Sequence, residues 1–392
     1  MTERHEISSL PVVRLKYADY APFIFRAMVG FVDSRTKDGD LVAVMDKNGR
    51  PFGFGFYNSR SQIALRMVSF GPEPVGESIV PQRIARAVAL RRDVLRLDAT
   101  TEAYRLVHSE GDGLSGLVAD RFGRYVAIEL FSKAMFRRLE PIQAAIAAAC
   151  PGVEEFVVRA DDEICRLEGF RLPPPPEGRI TTITENGVKF EVDLSGGHKT
   201  GFFCDQRDNR LALTAFTAGK SVLDCCCYSA GFSCYAAAPG KAAAVTAVDI
   251  DEAALATAKR NMKHNRLKFD LKQSDAFEFL RLAQRDKRRW DVVVLDPSKF
   301  VPSREEMERG LRKYRDLNSL AAAVVAPGGM LLTCSCSGLV SLDQFIEVVA
   351  RASHMAKRGV QIFRTSGAGA DHPVMADAPQ SAYLKAIWAR VE

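Results

Sequence analysis

"SVLDCCCYSAGF", residues 221–232, decides the fold. A short apolar run ends in an acid, and the turn after it holds one glycine, Gly231. Four more strand-like runs follow: "AVTAVDI" (244–250), "KFDLKQSDA" (268–276), "WDVVVLDP" (290–297) and, without an acid, "GMLLTCSCS" (329–337). Helical stretches such as "DEAALATAKRNMKHN" and "REEMERGLRKYRDLNSLAAAVV" separate them. Strands and helices alternating at this spacing make a doubly wound α/β sheet, with the ligand crevice at the carboxyl ends of the strands. "VQIFRT" and "AYLKAIWARV" complete the sheet.

The acids fall at those strand ends. Asp224 ends the first strand, Asp249 the second and Asp296 the fourth, and Asp275 follows the third. Four carboxylates aimed at one crevice are costly unless a ligand uses them. A dinucleotide enzyme would carry GxGxxG after the first strand, because a pyrophosphate needs close backbone approach. That fingerprint is missing here. An acid without a phosphate cradle suits a ligand with a positive centre, and S-adenosylmethionine fits, with its sulfonium, ammonium and ribose diol. Asp249 then accepts from the ribose hydroxyls and Asp275 faces the adenine amino group. Helix N-capping is the plainer alternative for Asp249 and Asp251.

Upstream, residues 10–75 read as short strands, with a hairpin at Asn48-Gly49 and Gly53 and Gly55 alternating with phenylalanines, as in a tightly curved small barrel. A helix is expected over 80–97 and another near 136–149, with strands between them around Gly111, Gly113, Gly116 and Gly123. "LPPPPEGR" (172–179) is a proline linker. The expected domains are 1–77, 78–177 and 178–392.

The 392 residues are too many for one ordinary core. The net charge of +6 permits a polyanionic partner without demanding one. Arginine-rich clusters at Arg83–Arg96, Lys287–Arg289 and Arg309–Arg315 read singly as solvated helix faces. The nine cysteines include no CxxC pair, so thiols are expected and no metal site. No apolar run reaches the ~18 residues of a membrane span, and the N-terminus lacks an apolar leader, so the expectation is a cytoplasmic protein without a membrane partner.

"DPSKF" (296–300) and "TCSCSGL" (333–339) lie on adjacent strand ends and place a thiol beside an acid. Pyrimidine carbon 5 is too weak a nucleophile to take a methyl group unaided. A thiolate adding to carbon 6 activates it, and an acid at ring nitrogen 3 assists. Over nearly its whole length the chain resembles the large-subunit ribosomal RNA cytosine-C5 methyltransferases of the RlmI family. The resemblance runs through "YRLVHSEGDGLSGLVADRFG", "GGHKTGFFCDQRDNR", "VLDCCCYSAGF", "DPSKF", "SCSGL" and "DHPV".

The resemblance implies a small β-barrel PUA domain, a central α/β domain of EEHEE type and a C-terminal class I (Rossmann-like) methyltransferase domain. It implies S-adenosylmethionine as cofactor and 23S ribosomal RNA, naked or partly assembled, as partner, and it leaves a homodimer open. It puts the nucleophile on Cys336 and the acid on Asp296, with Cys334 a strand residue pointing away. Gln206 and Arg207 fall beside the donor's methionine end, where Arg207 can pair a carboxylate. Asp224, Tyr228, Gly231, Phe232, Asp249, Asp275 and Asp296 complete the donor site. Lys199 and Lys299 are candidate substrate contacts, and Lys299 is also the candidate partner for the thiol. The chain departs from the family at Ser298, where a proline is usual, and in a donor loop poor in glycine. Two other readings stay open: an RNA methyltransferase acting on another atom without a cysteine nucleophile, and an RNA-binding assembly protein that has lost catalysis.

Overall fold

The computed structural model describes residues 10–195 and 201–392, and the chain divides into two compact units. The first takes residues up to Thr181, with Val192–Phe202 and Asp371–Ser381. The second takes Thr182–Glu191, Phe203–Ala370 and Ala382–Glu392.

The first unit opens with a six-stranded sheet. Its spatial order is Phe23–Phe25, Ile63–Phe70, Pro51–Tyr57, Leu41–Met45, Val12–Leu15, Val29–Val32. The two edge strands are joined by only Arg26–Met28, so the sheet must curl round towards closure. The Asn48-Gly49 hairpin forms as expected, pairing Leu41 with Phe56. Gly53 is required by close approach: a Cβ there would lie 2.1 Å from the Ser69 carbonyl oxygen on the next strand.

A second sheet follows, ordered Glu155–Arg159, Tyr125–Leu130, Leu117–Phe122, Ala103–His108. Three of its strands precede the helix Leu139–Ala149 and one follows it, so the chain order is E-E-E-H-E where EEHEE was expected. The helix Ile79–Ala89 packs with it in one apolar core that includes Ile84, Val88, Leu106, Ile128 and Ile146.

The arginine cluster Arg83–Arg96 is only partly a solvated face: Arg86 and Arg96 are exposed, and others turn inward. Arg91 is fully buried and donates to both Asp112 oxygens at 2.7 and 2.9 Å and to the Asp371 carbonyl at 2.6 Å. Arg83 also turns inward, to the carbonyls of Gly113 and Val68. Helical spacing alone does not reveal such partners, which lie up to 280 residues away.

The second unit is built on a seven-stranded sheet: β1 (Ser221–Cys225), β2 (Ala244–Asp249), β3 (Asp270–Gln273), β4 (Trp290–Leu295), β5 (Val325–Ser335), β6 (Val360–Ser366) and β7 (Lys385–Val391). Its order is β3-β2-β1-β4-β5-β7-β6. The first five strands run parallel, and β7 is antiparallel to both neighbours. β4 is a near-continuous buried run (Val292–Leu295), as a strand covered on both faces requires. Helices α1 (Gly231–Ala237), α2 (Glu252–His264), α3 (Ala276–Arg285), α4 (Met307–Val324) and α5 (Leu342–Ala356) connect the strands. The strand order reverses between β1 and β4, the point at whose carboxyl ends open α/β sheets bind their ligands.

Among the described residues, no helix is long and apolar enough to cross a membrane.

Candidate functional site at the carboxyl ends of the strands

The loop from β1 to α1 is strained. Cys226, Tyr228 and Ala230 have φ of 62°, 50° and 62°, a left-handed conformation that costs a non-glycine residue about 1–2 kcal/mol. Hydrogen bonds hold it: Cys227 N to Val248 O at 3.0 Å, Ala230 N to Cys227 O at 2.8 Å and Tyr228 N to Asp249 Oδ2 at 2.8 Å. Gly231 starts α1 against Arg210, whose Cδ would lie 3.1 Å from a Cβ there.

The four acids do not share one environment. Asp224 is fully buried one residue before the end of β1, and its Oδ2 accepts from Ser233 N at 3.0 Å and Ser233 Oγ at 2.6 Å. Burial, partly opposed by those bonds, pushes its carboxyl up to about 7. Asp249 ends β2 half-buried, with Oδ1 accepting from Asp251 N at 2.9 Å. Asp251 caps α2, through Ala253 N at 2.8 Å. Asp275 is exposed and caps α3, accepting from Glu278 N at 3.1 Å. Asp296 follows β4 half-buried. All four charges act on the Cys226 thiol, which burial and then Asp249 and Asp296 push far above the usual range. The carboxylates therefore converge, although Asp224 is enclosed beneath the loop rather than facing the crevice. Phe232 is also a core residue, packed with Leu213 and Val222.

A polar chain aims Asp296. Gln206 Nε2 donates to Asp296 Oδ2 at 2.9 Å, and Asn209 Nδ2 donates to Gln206 Oε1 at 2.7 Å. Ser366 Oγ donates to Asn209 Oδ1 at 2.7 Å, and Trp388 Nε1 donates to Ser366 Oγ at 2.8 Å. Ser298 is exposed while Pro297 is buried, so this chain, rather than a second proline, orients the acid. Sequence reasoning found Gln206 but missed Asn209, three residues on, and Ser366, which reaches Asn209 from 157 residues away.

Arg207 is buried, and its Nε donates to Asp208 Oδ1 at 3.1 Å. Arg210 supports the loop. It donates to both Glu185 carboxyl oxygens, each at 2.9 Å, and to Phe203 O at 3.0 Å, and the Phe203 ring meets Tyr228 edge-on at 5.0 Å.

Cys336 lies one residue past β5, half-buried, with Sγ 3.9 Å from Pro297 O. Cys334 is fully buried, and burial, then the Asp296 charge, push its thiol far up. Cys334 is a buried member of the core cluster on which the partly buried Cys336 packs. The Lys385 side chain is buried beside them, donating to Ser337 O at 2.6 Å and Tyr383 O at 2.8 Å. Its signal was the single lysine inside the apolar run "AYLKAIWARV". Lys299 is exposed on the loop after β4, and Lys199 lies outside the described residues.

Two of the quoted motifs are used in the first unit instead. Arg105 of "YRLV" pairs Asp120 at 2.8 and 3.0 Å, and Asp371 of "DHPV" accepts from Arg105 N at 2.8 Å. His108 is pushed down to about 2 by burial and the Arg105 charge, so it is a neutral packing group.

Residues 129–387 match a family model of S-adenosylmethionine-dependent methyltransferases, and residues 16–70 match a model of PUA-like domains. The chain is 37% identical over 384 residues to "Ribosomal RNA large subunit methyltransferase I" of Shewanella frigidimarina, covering 94% of this chain and 95% of that one. It is 35% identical to the protein of the same name from Klebsiella pneumoniae, covering 94% of each. A crystal structure of a methyltransferase complexed with SAH superposes with a TM-score of 0.79 at 21% identity, covering 94% of this chain and 95% of that chain.

Proposed function

The chain belongs to the S-adenosylmethionine-dependent ribosomal RNA large subunit methyltransferase I family, and we propose that it forms 5-methylcytosine in 23S ribosomal RNA through a covalent bond from Cys336 to carbon 6 of the base. The observation that carries this reading is the pairing of a half-buried thiol after β5 with a carboxylate held in place after β4.

The donor, when bound, supplies an electrophilic methyl group. The converging carboxylates suit its positive charge. Asp249, at the end of β2, would hold the ribose hydroxyls, and Asp275 would hold the adenine amino group. Arg207 faces the donor's carboxylate. Tyr228 and Gly231 shape the loop, with Asp224 and Phe232 supporting it from below.

The Cys336 thiolate adds to carbon 6 of the cytosine, and the ring electrons move towards nitrogen 3, where Asp296 shares a proton. Carbon 5 becomes an enamine-type nucleophile and takes the methyl group, the electrons of the broken S–CH3 bond staying on sulfur so that the donor leaves as a neutral thioether. Removal of the carbon-5 proton then re-forms the ring double bond and expels the thiolate. Gln206 keeps Asp296 in register throughout. Cys334 takes no part, because its burial keeps it a thiol. Lys199 and Lys299 contact RNA phosphate. Residues 1–77 and 78–177 act as RNA-holding and connecting domains ahead of the methyltransferase domain at 178–392, and the enzyme works in the cytoplasm, where its RNA is made.

The test is incubation of wild type and Cys336→Ser with tritiated S-adenosylmethionine and unmodified 23S ribosomal RNA, followed by mass mapping. Methylcytosine from the wild type alone is expected. Label on an exocyclic nitrogen, or equal transfer by both proteins, overturns the proposal. Donor binding without any transfer favours the RNA-binding assembly reading.

A further inference from the structure

Lys385 opens β7, opposite Ser335 at the end of β5, so its side chain emerges one residue from Cys336. It is 6% exposed. Its ammonium donates to two carbonyls, Ser337 O and Tyr383 O, and among the described residues no carboxylate pairs with it. A buried ammonium satisfied only by carbonyls is costly, and an anion nearby reduces that cost. Resting on the reading of Cys336 as nucleophile, we propose that Lys385 is a positioning residue that keeps Cys336 as a thiolate.

The Sγ proton is lost to solvent, and the ammonium already in place stabilises the thiolate left behind. When the thiolate adds to the base its charge moves into the ring, and release restores the pair. Burial lowers Lys385 to about 8, and the Cys336 charge opposes that fall, so the two sites are electrostatically coupled. Such coupling acts on both partners, and a cation next to a cysteine lowers the thiol's pKa.

Among the described residues, the other titratable groups around the pair include Asp296 after β4, the buried Cys334 thiol, and Tyr314 of α4, whose hydroxyl lies 2.9 Å from Ser337 Oγ. Tyr383 donates to Asp205 at 2.5 Å. Asp205 bears on the neighbouring Cys334 thiol and would oppose a thiolate at Cys336, which a cation beside it offsets.

The test reads thiol reactivity without RNA or donor: the pH dependence of Cys336 alkylation by iodoacetamide, followed on its peptide by mass spectrometry. The wild-type midpoint is expected below the ~8.5 of a free cysteine. Lys385→Gln should raise the midpoint by about one unit and slow alkylation roughly tenfold near pH 7, and Lys385→Arg should restore it to within about twofold. A wild-type midpoint at or above ~8.5 overturns the proposal whether or not the variants fold. So does an unchanged profile in Lys385→Gln, or an Arg variant as slow as Gln. Full methyl transfer by Cys336→Ser is a different result: it removes the nucleophile while leaving the measured thiol chemistry intact.

Discussion

Arg210→Met tests whether the loop beneath the donor site depends on one enclosed ion pair. Glu185 is fully buried and Arg210 is 3% exposed, joined by two 2.9 Å hydrogen bonds. The Tyr235 hydroxyl donates to the same carboxylate at 3.0 Å. Removing the guanidinium strands a buried charge, which costs about 3–5 kcal/mol. The lost bond to Phe203 O adds about 1 kcal/mol. With a urea slope of about 2 kcal/mol/M, a loss near 5 kcal/mol lowers the midpoint by about 2.5 M. Both tryptophans, Trp290 and Trp388, lie in the second unit, so their fluorescence reports its unfolding. The loss should depend on pH. In the wild type, burial raises the Glu185 carboxyl and Arg210 is the main opposing group; in the variant only the Arg207 charge and the Tyr235 hydroxyl still oppose burial. An acid raised in the folded state keeps its stability at low pH and loses it as pH rises, so the variant should be weakest near about pH 8 and recover towards about pH 4. Adding Glu185→Leu removes the stranded charge and should recover part of the loss. A single variant within about 0.5 M of wild type, or a double variant weaker than the single, would refute this account.

Asp224 gives a second pH prediction. Its folded carboxyl is raised to about 7, so its contribution is present below the ordinary carboxylate range and is lost as pH climbs to about 7. Asp224→Asn should therefore gain stability relative to wild type across that interval, by as much as a few kcal/mol (about 1.4 per pKa unit), and parallel urea midpoints at all pH values would contradict it. Cys334→Ala should lose only about 1 kcal/mol of stability and keep methyl transfer within about twofold of wild type, measured by label incorporation. Loss of transfer in a folded Cys334→Ala protein would move the nucleophile from Cys336 to Cys334.

The seven-stranded sheet was legible because its signals are local. Buried β-branched runs end in acids, and Asp251 and Asp275 cap the helices that follow. The barrel-like hairpin at Asn48-Gly49 was local too. What sequence could not rank was depth: Asp224 and Asp249 occupy similar strand ends, yet one is enclosed and the other reaches the lip. Nor could it show long-range partners. Arg91 reads as one arginine among many on a helix until Asp112 and Asp371 close on it. Lys385 reads as an interruption in a strand until the carbonyl of Ser337 is seen to receive it. The same limit applies to Asp296, whose position was plain but whose aim depends on Gln206, Asn209, Ser366 and Trp388.

The central claim is that Cys336 bonds to the base. Its most direct measurement is trapping on 23S ribosomal RNA carrying 5-fluorocytosine, where fluorine at carbon 5 blocks the last elimination. With S-adenosylmethionine present, wild type should give a denaturation-resistant protein–RNA complex whose peptide map places the adduct on Cys336, and Cys336→Ser should give none. An adduct on another residue, or wild-type methylation of cytosine in the unsubstituted RNA with no adduct on the fluorinated one, contradicts the account.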